Sequence, residues 1–157
     1  MIPTYFLYQL ADYERIKVEW HDFDHIKGLY TYTPSMTAPV IALSNKLHSN
    51  ERLLRCVLAH ELGHHYTTSG HYIIAANSTS SIYATKHENL ATKWAVNLLI
   101  PTDIFLGCIR KGMFCHELCN YFYVLPEYII QKAKQLHKEP SLNDAIAEIN
   151  TSYNVVF

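Results

Sequence analysis

The stretch Arg52-Leu53-Leu54-Arg55-Cys56-Val57-Leu58-Ala59-His60-Glu61-Leu62-Gly63-His64 constrains this chain more than any other, because a helix formed there brings its own chemistry. Residues four apart stand one turn above each other on an α-helix. His60 and His64 can therefore offer two imidazole nitrogens to one ion while Glu61 flanks a water held by it. Leu53, Val57, His60 and His64 share a face in this reading, a stripe that turns from apolar to imidazole at one end, as a metal site at the edge of a core requires. Ser49 or Asn50 is the predicted N-cap, Glu51 suits the positive end of the helix dipole, and the helix is expected to end between Thr67 and Gly70. A catalytic zinc takes three protein ligands and leaves one position open, lowering the pKa of its water to about 7, so a third ligand is needed.

Three candidates follow His64. A His-x3-His-x2-Gly-x2-His site fails, because Thr67 stands where Gly is required and His71 comes one place late. Glu88 opens the next strongly helical stretch, and a carboxylate facing the first helix would complete a His2Glu set. His87 points about 100° away from Glu88 around that helix, so both cannot face one ion. Glu88 is favoured over His87 and His71 on this geometry. A His-Glu-x-x-His string also arises by chance on ordinary helix turns, where Glu61 would be a solvent-facing carboxylate. The amphipathic helix beneath the string and the carboxylate helix soon after it favour the metal reading. His65, His71 and His87 are assigned to the surface or to hydrogen bonds behind the ligands.

The surrounding pattern is α+β. Residues 4 to 12 form a short aromatic-rich helix in this reading, and Ile16, Val18 and Trp20 alternate with charged residues as a half-buried strand does. A second strand, Leu29 to Thr33, follows Gly28, and a third takes Val40 to Leu43, with Pro34 and Pro39 bracketing the loop between them. Residues 71 to 85 read as a mobile loop placed to act as a lid. A helix from Lys86 to Leu99 buries Ala91, Ala95, Leu98 and Leu99 and is stopped by Pro101. Helical segments then follow at 102 to 110, 114 to 122, 126 to 137 and 141 to 149.

With 157 residues the chain suits one domain with appendages. Almost half the residues are apolar, which excludes wholesale disorder, and a net charge of −1 gives no electrostatic reason to expect nucleic-acid binding. No apolar run reaches the length of a membrane span, and the start Met1 to Asp12 lacks the features of a secretory signal, so the cytoplasm is expected. Cys56, Cys108, Cys115 and Cys119 are then read as thiols, with Cys56 packing as a small hydrophobe. Cys115, His116 and Cys119 lack a fourth metal ligand at motif spacing, and Asn120 stands where a second His would complete an echo of the first motif. Tyr66, Tyr72 and Tyr83 are near enough in sequence to offer an oxyanion donor, without the sequence choosing among them.

Two blocks, Leu58-Ala59-His60-Glu61-Leu62-Gly63-His64 and Glu88-Asn89-Leu90-Ala91-Thr92-Lys93-Trp94-Ala95-Val96-Asn97-Leu98-Leu99-Ile100-Pro101, resemble the ImmA/IrrE metallopeptidases of bacteria, phages and mobile elements. The resemblance covers roughly residues 10 to 101. It implies a zinc-dependent endopeptidase that cuts a helix-turn-helix repressor encoded nearby, with His60, His64 and Glu88 as metal ligands and Glu61 as general base. Thr92 stands where Asn or Asp is usual, Trp94 where Phe is, and Lys86 where Arg is common; these departures bear on substrate fit and packing. The segment Glu117 to Ile130 resembles the helical extension of these proteins, with helix-turn-helix-like spacing and no basic patch, which suits repressor docking better than DNA reading.

The expectation is thus an α+β, zincin-like metallopeptidase domain over residues 1–101, with a small three-stranded sheet, an active-site helix and a ligand helix. A helical C-terminal extension, residues 102–157, packs on it. Zn2+ is the expected cofactor, with Mn2+ or Fe2+ as cellular alternatives. The expected partner is a repressor protein, with neither nucleic acid nor membrane. A repressor-binding protein without catalysis and a peptidase for unrelated proteins are the competing classes.

Overall fold

The computed structural model describes residues 1–67 and 81–136. Its contacts cluster into two units, Ile2–Ala95 and the chain from Val96 onward together with Met1.

In the first unit, α1 (Thr4–Tyr13) buries Leu7 and Ala11 and leads into β1 (Lys17–His21). Next come β2 (Gly28–Thr31), β3 (Val40–Ser44) and a 3-10 turn over Asn45–Ser49. The sheet order is β1-β3-β2. β3 pairs parallel with β1, Val18 opposite Ile41, and antiparallel with β2, Tyr30 opposite Ile41. The apolar run Ile41-Ala42-Leu43 is buried because it forms the central strand, with a neighbour on each edge.

α2 (Glu51–Thr67) lies against β2 and β3. Asn50 caps it, its Oδ1 accepting from the Leu53 N–H at 3.0 Å. The fully buried side of α2 is Arg55, Cys56, Leu58, Ala59 and Leu62, whereas Leu53 and Val57 are half-buried. The predicted stripe of Leu53, Val57, His60 and His64 is therefore offset from the face that packs deepest. Arg55 is enclosed because its guanidinium donates to the carbonyl of Ile2, which gives the cation a partner inside the unit.

α3 (Ser81–Leu99) begins earlier than the predicted Lys86, so residues 81–85 are helix and not loop. No Gly or Pro lies between Ser81 and Pro101 to stop propagation. The rest of the predicted lid, residues 71–80, lies outside the described residues. Ala91 and Ala95 are buried as predicted; Leu98 is half-buried, and Val96 takes the interior position instead.

In the second unit, α4 (Thr102–Arg110), α5 (Cys115–Phe122) and α6 (Pro126–Leu136) follow the Pro101 stop. Tyr123 turns the chain between α5 and α6 in the left-handed conformation at φ 53°, with the Val124 N–H returning to the Cys119 carbonyl. The predicted helix over 141 to 149 lies outside the described residues. All four cysteines are buried thiols with no disulfide among them. Among the described residues no helix is long and apolar enough to cross a membrane.

Candidate metal centre

The four-residue spacing on α2 stacks His60 and His64 with their Nε2 atoms 3.1 Å apart. Glu88, on α3, meets both: its Oε2 is 3.1 Å from His60 Nε2 and its Oε1 is 3.4 Å from His64 Nε2. The ligand atoms of these three side chains lie within 4.8 Å of one another. A tetrahedral ion with bonds of about 2.0–2.1 Å spaces its donors about 3.3–3.4 Å apart. Two imidazoles and a carboxylate at 3.1–3.4 Å therefore have both the chemistry and the spacing of a divalent-metal donor set.

A close helix crossing produces this spacing. A Cβ on Gly63 would stand 3.0 Å from the Cα and carbonyl carbon of Ala91 and would overlap its carbonyl oxygen. Gly63 on α2 and the small Ala91 on α3 let the two backbones touch, and Glu88 is one turn from that contact. Behind the donors, Thr92 Oγ1 is 3.3 Å from His60 Nδ1, a hydrogen bond that fixes the ring's rotation and leaves Nε2 facing Glu88.

Electrostatics divide the two carboxylates. Hydrogen bonds from His60 and His64 hold the Glu88 carboxyl well below the usual carboxylate range, so it is an anion. Burial alone would depress the His60 pKa, but the hydrogen bond to Glu88 and the charges of Glu61 and Glu88 outweigh it and raise the value. Glu61 behaves oppositely. It is only 6% exposed, and burial raises its pKa against the lowering effects of His60, His64 and the Tyr30 backbone N–H, which donates to the carboxylate. A Cβ on Gly28 would stand 2.7 Å from Glu61 Oε1 and 2.7 Å from Val57 Cγ1, so only glycine lets the edge strand approach the carboxylate this closely.

His60, Glu61, His64 and Glu88 open onto a cleft of about 330 Å³ whose other wall is the segment from His25 to Tyr30. His87 and the set Cys115, His116 and Cys119 form no such ligand group among the described residues. His71 and Tyr72 lie outside the described residues, and Tyr83 is described only as part of the α3 backbone. Tyr66 donates its hydroxyl to Glu14 Oε1 at 2.7 Å and stacks on Trp94 at 4.6 Å. His65 also turns away from the ligands, with Nδ1 3.0 Å from the Tyr30 hydroxyl and Nε2 3.4 Å from Glu14 Oε2. Sequence reasoning missed Gly28, Tyr30 and Glu14, whose approach to α2 depends on tertiary folding; a glycine at the start of a predicted strand was the one available signal.

No curated protein and no solved structure matches the chain. Residues 11–134 match the peptidase family described as the IrrE N-terminal-like domain, a span that includes the sheet, both site helices and most of α6. Among the described residues, the mixed fold of six α-helices and a three-stranded sheet accords with the zincin-like domain of that family. On that match the chain belongs to the IrrE N-terminal-like family of metallopeptidases.

Proposed function

We propose that the chain is a zinc-dependent endopeptidase that cuts a helix-turn-helix repressor and so relieves repression. The observation that carries the hydrolytic part is the meeting of His60, His64 and Glu88 beside a buried Glu61 whose pKa is raised. In this reading His60, His64 and Glu88 hold the ion, and Zn2+ bound there acidifies water and polarises the scissile carbonyl.

Glu61 supplies the proton chemistry. Burial moves its carboxylate toward the working range of a general base, so it takes a proton from the attacking water and passes it to the departing amide nitrogen. The Tyr30 N–H keeps one carboxylate lone pair directed while the proton moves. The substrate segment lies extended beside β2, which among the described residues pairs only through β3. Repressor specificity comes from the resemblance of the two sequence blocks.

The test incubates purified protein and Zn2+ with the helix-turn-helix repressor encoded beside it, with unstructured casein in parallel. A discrete repressor fragment that disappears with Glu61→Gln, while the variant's metal content stays near wild type, is the expected result. Casein degraded as fast as the repressor would overturn the substrate assignment, and cleavage by Glu61→Gln would overturn the base assignment.

A further inference from the structure

Behind the site runs a chain of polar contacts that the proposed hydrolysis does not itself use. His65 Nε2 is 3.4 Å from Glu14 Oε2, and His65 Nδ1 is 3.0 Å from the Tyr30 hydroxyl. Tyr66 donates to the other Glu14 oxygen at 2.7 Å. The hydrogen bond from Tyr66 lowers the Glu14 pKa first, aided by those involving His65, so Glu14 is an anion that only accepts. With Glu14 accepting, His65 carries an N–H at Nε2, and in the tautomer with that proton alone the Tyr30 hydroxyl donates to Nδ1.

Glu14 is held in place by an unusual backbone. It is the C-cap of α1, and Arg15 after it sits at φ 58°, where glycine is the ordinary occupant. The Ile16 N–H returns to the Ala11 carbonyl at 2.8 Å and closes the turn. An arginine in the left-handed region is strained, and such strain concentrates where geometry serves a function.

Tyr30 is the point of convergence. Its side chain is tied to His65 on α2, and its backbone N–H is tied to Glu61, one turn earlier on the same helix. We infer that His65 and Tyr30 are positioning residues, with Glu14 only orienting the His65 ring: through the Tyr30 hydroxyl they fix edge strand β2 against α2, and through the Tyr30 N–H they hold the Glu61 carboxylate in its working orientation. The kinetic consequence rests on the peptidase reading. The mechanical one does not.

Substitutions at His65 separate positioning from packing. Asn places an oxygen where Nδ1 stands, keeping the acceptor for Tyr30 but losing the reach to Glu14; Gln keeps the reach to Glu14 and loses the acceptor. Tyr30→Phe removes the hydroxyl at nearly constant volume. We expect Tyr30→Phe and His65→Gln each to lower kcat about 10-fold with KM and zinc content within twofold of wild type, and His65→Asn to recover most of that loss. The double variant Tyr30→Phe/His65→Gln should lose no more than either alone.

A second readout needs no activity. Hydrogen exchange of the residue-30 amide in the zinc-loaded protein should quicken at least 10-fold in Tyr30→Phe and His65→Gln, and less in His65→Asn. Wild-type exchange in Tyr30→Phe, or equal losses in His65→Asn and His65→Gln, would overturn the inference even if the protein is a peptidase. If wild type cuts nothing, the peptidase reading fails, and the exchange pattern alone decides the positioning role.

Discussion

Replacing Gly63 with alanine perturbs the site without touching a donor atom. The new methyl carbon would stand 3.0 Å from Ala91 Cα and closer still to its carbonyl oxygen. Carbon–carbon contact is favourable only from about 3.5 Å, so α2 and α3 must part by about 0.5–1 Å. Overpacking costs about 1–3 kcal/mol, and the better helix propensity of alanine returns about 1 kcal/mol. The net loss is about 1 kcal/mol, a fall in Tm of roughly 2–5 °C. The larger effect falls on the metal. Glu88 rides on α3 one turn from Ala91, and its 3.1 Å approach to His60 opens by the same displacement. We expect zinc affinity to fall about 10–100-fold, the scale seen when the support of a ligand is disturbed. Competition against a chromogenic chelator measures this, with melting of the metal-free protein alongside. Gly107→Ala is the control: nothing lies within 4 Å of a Cβ there, so the same exchange within α4 should stabilise by about 0.5–1 kcal/mol. A Gly63→Ala protein that melts at or above wild type and binds zinc as tightly would refute the backbone-contact reasoning.

Three further outcomes follow from the same geometry. Thr92→Val removes the hydrogen bond at His60 Nδ1 and should weaken zinc about 10-fold by chelator competition, with little change in the melting of the metal-free protein. Gly28→Ala drives a methyl to 2.7 Å from Glu61 Oε1, so kcat should fall at least 10-fold while bound zinc, measured by elemental analysis, stays near wild type. Lys132 is 1% exposed and donates to Asn97 Oδ1 and Thr102 Oγ1, and burial pushes its pKa down from 10.5 to about 8. The folded state then holds fewer protons than the unfolded chain between those values, so stability rises with pH through that window. The penalty, about 3 kcal/mol, is complete below pH ~8. Lys132→Met should therefore gain on wild type at pH 7 and lose most of that advantage by pH 10.5 in urea titrations. A pH-independent difference would contradict the buried charge.

What could be read from the chain was local. Helical periodicity, the Asn50 cap and the Pro101 stop placed α2 and the end of α3, because each signal lies within one turn of what it controls. The spacing of His60 and His64 and the phase of Glu88 likewise put three donors where one helix crossing brings them together. Pairing and burial were less legible. The order β1-β3-β2, with its parallel pair, is a long-range choice that alternation along one strand does not encode. The offset of α2 arose because its histidine stripe borders the cleft, while the interior is filled by the neighbouring Cys56, Ala59 and Leu62. The early start of α3 had no marker, and the enclosure of Arg55 and Lys132 depends on acceptors 53, 35 and 30 residues away.

The metal-to-protein ratio, taken by elemental analysis on wild type, Glu61→Gln and Glu88→Ala purified alike with zinc supplied, tests the central claim most directly. His60, His64 and Glu88 as the donor set, with Glu61 outside it, predict close to one ion per chain in wild type and Glu61→Gln and close to none in Glu88→Ala. A wild-type protein without stoichiometric metal, or a Glu88→Ala protein that keeps its ion, would contradict it.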